Sequence, residues 1–112
     1  MGSDKAFMDY VADQMETAGG VTYRKMFGEY AVYRSGKVVA LVCDNQLFVK
    51  PTAGGRAFAG EITEGAPYPG AKPFLLIDDK LDDREWLGEL IRLTSEELPL
   101  PKKAKASKQK RP

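Results

Sequence analysis

Three runs rich in β-branched and aromatic residues, Met26–Arg34, Val38–Cys43 and Gln46–Lys50, are joined through the dipeptides Ser35-Gly36, followed by Lys37, and Asp44-Asn45. Both dipeptides suit a two-residue reversal, so the stretch is predicted to fold as an antiparallel meander. Its middle run, VVALVC, lacks polar alternation and is expected to be a central strand covered on both faces. Leu47 and Val49 then share one face of the third strand, with Phe48 and Lys50 on the other.

A meander of this kind needs helices to bury its apolar face, and the flanking segments supply them. Ser3 is placed to cap a first helix with Asp4 in its first turn; Phe7, Tyr10, Val11, Met15 and Ala18 form the apolar stripe, and Gly19-Gly20 ends it. After Pro51, the segment TAGGRAFAGE has room for only a short helix. EGAPYPGAKP reads as a loop or short irregular strand and PFLLID as a strand. Asp82 followed by Glu85 resembles a capping box ahead of a last helix that buries Trp86, Leu87, Leu90, Ile91 and Thr94. The expected fold is α+β: a two-layer α/β sandwich of order α-β-β-β-α-β-β-α, with one antiparallel sheet and helices on one face.

With 112 residues the chain has the size of one domain and needs no covalent staple. Its single Cys43 cannot form an internal disulfide, the start shows no secretory pattern, and no apolar run approaches the ~20 residues of a membrane span; a cytoplasmic location is expected. The overall charge of +1 hides an asymmetry. Six of the seventeen basic residues, Lys102, Lys103, Lys105, Lys108, Lys110 and Arg111, lie in the last eleven positions, leaving eleven basic against sixteen acidic, a net −5, in residues 1–101. Residues 1–100 are therefore expected to form the domain and 101–112 a disordered basic tail. On duplex nucleic acid six fully engaged cations correspond to a salt slope of about −5, sequence-blind contact without base stacking. The alternative is a solvated tail, or one that folds back on the acidic last helix.

There is no histidine, which removes every His-dependent triad, dyad and metal site. Cys43 sits in the most apolar run, where burial raises a thiol's pKa, and is expected to be structural. The acidic run DDKLDD lacks the spacing of a calcium loop and fits a helix entrance instead, so neither a metal nor a cofactor is expected. Lys50 and Arg56 around Gly54-Gly55 form at most a weak anion site, on which a third reading, a small-molecule or phosphate-binding enzyme, would rest. No residue qualifies as catalytic. The surface feature is in the first strand, where Phe27, Glu29 and Tyr33 alternate in side from Tyr30 and Val32. If helices cover one face, Tyr30 or Tyr33 is left on the other beside Arg24 or Lys25, and with Phe27 makes an aromatic and basic patch suited to a protein partner or a second copy. The alternative is that Met26-Phe27-Gly28 docks the first helix.

Arg24-Lys25-Met26-Phe27-Gly28, Tyr30, the Ser35-Gly36 turn, Val38–Val42 and Leu47–Lys50 together resemble the N-terminal domain of the TfoX/Sxy proteins, bacterial regulators tied to competence-gene expression. YPGAKPFLLID and the Trp86–Thr94 segment extend the likeness over residues 4–98. The resemblance implies an α/β two-layer sandwich with an early meander, no catalytic residues, and a regulatory or interaction module. Longer members carry a second helical domain where this chain has its basic tail.

Overall fold

The computed structural model describes residues 2–99. Helix α1 (Lys5–Gln14) leads through a 3₁₀ turn (Glu16–Ala18) into four consecutive strands: β1 (Val21–Met26), β2 (Glu29–Arg34), β3 (Lys37–Cys43) and β4 (Gln46–Val49). Helix α2 (Ala53–Ala59), β5 (Glu64–Gly65), β6 (Phe74–Ile77), a second 3₁₀ turn (Asp79–Asp82) and helix α3 (Arg84–Glu97) follow within the described residues. The strands form one antiparallel sheet in the order β1-β2-β3-β4-β6-β5, with β6 returning between β4 and the short edge β5. This is the expected mixed class, with one strand more than the sequence predicted.

The extra strand arises because Met26–Arg34 is not continuous. Phe27 and Gly28 both have positive φ (52° and 82°) and reverse the chain. Ser35-Gly36 and Asp44-Asn45 do the same, so three two-residue turns with both central residues left-handed build the whole meander. Phe27 disguised its turn, since an aromatic residue reads as strand and an L side chain at positive φ costs about 1 kcal/mol. The missing alternation in VVALVC also has a cause. Val32 pairs with Ala40 and Tyr33 with Val38, so Val39 is the extra residue of a bulge, and both it and Ala40 are buried.

On the helix-covered face Tyr30 and Val32 of β2, Ala40 and Val42 of β3, Leu47 and Val49 of β4, and Leu75 and Ile77 of β6 meet Met8 and Val11 of α1 and Leu87, Leu90 and Ile91 of α3. Each fully buried aliphatic side chain stabilises the fold by roughly 1.5–3 kcal/mol. Close helix packing rests on glycine: a Cβ on Gly88 would lie 1.7 Å from Thr17 Oγ1, and one on Gly55 3.3 Å from Thr94 Oγ1 of α3. Arg34 closes one end of the core by donating to the carbonyls of Ala18 and Gly19 and to Ser95 Oγ, while Lys37 donates to the Ser95 carbonyl. Cations are favourably placed at such helix C-terminal ends.

Two helix starts differ from expectation. Asp4, not Ser3, occupies the N-cap of α1, and its side chain makes no capping bond. Ser3 Oγ instead donates to Glu29 Oε1 (2.6 Å) and accepts from the Asn45 amide (2.9 Å), and its amide donates to the Gly28 carbonyl (3.0 Å). The N-terminal segment is thus pinned across two hairpin turns, a long-range role that outcompetes local capping. At α3 the cap is Asp83, which accepts from the Trp86 amide at 3.1 Å. Asp82 accepts the Tyr10 hydroxyl instead.

Candidate functional site

Alternation turns Arg24 and Met26 of β1, Glu29, Ala31 and Tyr33 of β2, Leu41 and Cys43 of β3, and Phe48 of β4 away from the helices. Among the described residues no helix covers this second face. The loop after β5 lies on part of it: Pro67 is buried, and Gly65 packs beside the Phe48 ring. Between this loop and the β1–β2 turn remains an apolar hollow of about 450 Å³, walled by Met26, Phe27, Ala31, Leu41, Cys43, Pro67 and Tyr68, with Glu29 and Tyr30 at its margin. Its rim is exposed hydrophobic surface: Met26 is 42%, Tyr68 56% and Phe27 101% accessible.

Of the sequence-predicted surface residues, Arg24 and Tyr33 lie on the open face and Phe27 stands out from its end. Lys25 and Tyr30 lie on the helix side of the sheet, opposite one another. Tyr30 is buried, its ring edge-on to Tyr23 at 5.5 Å and 88°, so its ring belongs to the core and not to an exposed patch. The idea that Met26-Phe27-Gly28 docks the first helix holds only for the backbone. Gly28 accepts from Ser3, while the Phe27 side chain touches nothing that shields it. Of the groups named for a weak anion site with Lys50, Arg56 pairs with Glu64, and the α2 amide of Gly55 is taken by Thr52 Oγ1 at 2.9 Å. The six basic tail residues lie outside the described residues.

Sequence reasoning missed Met26, Leu41, Pro67 and Tyr68 as parts of one surface. Tyr68 had a signal, an aromatic residue between two prolines in a loop that cannot be deeply buried. Leu41 and Met26 had none, because their membership follows from strand pairing.

Cys43 lines the hollow, and its thiol is pushed up to about 11 by burial and by the nearby carboxylates of Glu29 and Asp44. It is therefore protonated near neutrality and a poor nucleophile. Behind the sheet Asp9 accepts from the Tyr23 hydroxyl and pairs with Lys5 at 2.8 Å, which holds the Asp9 carboxyl below and the Tyr23 phenol above their ordinary values. A second cleft, of about 250 Å³, lies beside Trp86, with Lys80 5.7 Å above the indole and Asp78 and Asp79 on its wall. The site's resources are thus apolar area, an aromatic rim and flanking cations.

A six-stranded antiparallel sheet, helices on one face and an apolar hollow on the other define a two-layer α+β domain built around a meander. The chain belongs to the TfoX N-terminal domain family, whose model matches residues 13–98, and so to a family of regulatory domains. It is also 41% identical over 106 residues to a protein of Spirochaeta aurantia described as an uncharacterized 12.7 kDa protein in trpE 5'region, a match covering 95% of this chain and 92% of that protein. Among the described residues no helix is long and apolar enough to cross a membrane.

Proposed function

We propose that the chain is a non-enzymatic regulatory module that acts on a protein partner through the open face of its sheet. Phe27 carries this reading. A large apolar side chain is held fully in solvent, at a left-handed backbone position that disfavours it, on the rim of an apolar hollow. Local stability calls for Asn, Asp or Gly there, and residues kept against local preference cluster at ligand clamps and switches. Met26 and Tyr68 complete an aromatic and aliphatic patch of the composition found at the centre of protein interfaces. The finer role follows the TfoX/Sxy resemblance: control of competence genes or transcription by protein contacts.

The test compares the full chain with a Phe27→Ser, Tyr68→Ser double variant whose fold is verified by circular dichroism. A protein retained from extract by the wild type is identified, purified and titrated against both by calorimetry. An affinity loss of about tenfold or more is expected for the double variant, as for the loss of interface anchors. Equal affinity for both overturns the proposal, and so does turnover of a metabolite that disappears on changing one carboxylate or lysine. The basic tail favours a second reading, weak nucleic-acid binding. Removal of residues 102–112 abolishes retention of duplex DNA at low salt on that reading and leaves partner binding unchanged on ours.

A further inference from the structure

β1 is the long free edge of the sheet. It pairs with β2 from Val21 opposite Arg34 to Met26 opposite Glu29, and the strand order ends there. Residues flanking a two-residue turn exchange both hydrogen bonds, so Met26, Arg24 and Thr22 aim their backbone groups at β2. The alternation then turns the N–H and C=O groups of Val21, Tyr23 and Lys25 outward. Among the described residues no other backbone group bonds to them. The opposite edge, β5, is only two residues long.

Edges of this kind are commonly guarded by proline, a bulge or charge. β1 has neither proline nor bulge, but it carries Arg24 on the open face and Lys25 on the helix face. Among the described residues no carboxylate forms an ion pair with either. Two copies joined edge to edge gather four such cations around one axis, which opposes self-pairing. The same cations favour a strand that brings carboxylates, since the Asp9 carboxylate bonded to Tyr23 at this edge is already paired with Lys5. Met26 ends the strand and, with Phe27, forms the rim of the apolar hollow.

We infer that β1 receives an extended acidic segment of a protein partner as an added strand. The segment's backbone pairs with Val21, Tyr23 and Lys25, its carboxylates lie beside Arg24 and Lys25, and a bulky apolar residue beyond Met26 rests on Met26 and Phe27. The inference rests on the module reading above and adds to it the chemistry and geometry of the partner.

The probe is a phage-displayed library of random peptides of about twelve residues, selected on the full chain, with the enriched sequences resynthesised. Enrichment of acidic residues around an apolar one is expected, with binding that weakens as salt rises. Amide exchange should show new protection at Val21, Tyr23 and Lys25. Lys25→Pro removes one outward donor without touching a bond to β2, and should cost about tenfold in affinity, the worth of one hydrogen bond and one charge; Lys25→Gln, which keeps the donor, should cost less. Unchanged amide exchange in β2–β4 of Lys25→Pro verifies its fold. Absence of enriched peptides, a basic consensus, or binding without protection of the three amides overturns the inference. So does a concentration-dependent dimer dissolved by Lys25→Pro, which makes a second copy the occupant. Peptides indifferent to Lys25→Pro but lost with Phe27→Ser, Tyr68→Ser remove the edge strand and leave the module reading standing; peptides indifferent to both remove the two together.

Discussion

On the helix-covered face of the sheet, Tyr30, Val32, Ala40, Val42, Leu47, Val49, Leu75 and Ile77 are all at most 5% exposed. On the open face Ala31, Cys43 and Phe48 reach comparable burial at 1%, 7% and 5%, yet Met26 stays 42% exposed a few residues away. The strands alternate in the same way on both sides. What differs is the cover: α1 and α3 bury all eight of these residues on one face, while on the other a proline-containing loop reaches Phe48 and Cys43 and stops at Tyr68. Burial on the first face stabilises the domain, and incomplete burial on the second leaves apolar surface available for binding.

The largest expected effect separates the two faces by stability. Leu90→Ala, in the sealed core, should cost about 2–5 kcal/mol in chemical denaturation, because it leaves a cavity among atoms that cannot collapse. Leu41→Ala, half-buried on the open face, should cost less than half as much; equal losses would show that the second face is as closed as the first. Next is the thiol. With Cys43 titrating near 11 against an ordinary 9.0, the folded chain should react with iodoacetamide at pH 8 about a hundredfold more slowly than a free thiol, and faster as pH rises. Reaction at the rate of a free thiol would mean the hollow is solvated to its floor.

Phe27→Asn sharpens the contrast further, since it should stabilise the fold by about 1 kcal/mol by relieving a left-handed aromatic residue while weakening partner binding. A fall in melting temperature would show that Phe27 supports the fold and is not held out at a local cost. The smallest effect concerns α1, behind the sheet. The lowered Asp9 carboxyl contributes stability that is present above its ordinary value of 3.8 and lost as pH falls through its folded value. The raised Tyr23 phenol contributes below its ordinary value of 10.0 and fails as pH rises past that. Tyr23→Phe should therefore flatten both ends of the stability–pH curve slightly, both groups being exposed; an unchanged curve would mean the contact is not held in solution.

Much of the fold was legible in the sequence. Ser35-Gly36 and Asp44-Asn45 announced their turns because both dipeptides tolerate positive φ, and the Leu87-Leu90-Ile91 stripe announced α3 by its spacing. The first hairpin was hidden because Phe27 is chosen against its backbone conformation. The helix caps slipped by one residue because Ser3 and Asp82 were claimed by Glu29, Asn45 and Tyr10, partners remote in sequence. The candidate site was only half legible. Arg24, Phe27 and Tyr33 could be named in advance, but Tyr30 could not be assigned to the core, nor Leu41, Pro67 and Tyr68 to the rim and floor of one hollow.

The amino-acid sequence by itself determined the class of fold, the family, and a chemistry without imidazole, since turn propensity, hydrophobic period and residue type are local properties. Only the tertiary structure decided which side of the sheet each alternating residue meets, because strand parity acquires an inside and an outside only when distant helices settle on one face. That choice buried Tyr30 beneath α1 and α3 and left Phe27, Met26 and the outer edge of β1 facing solvent.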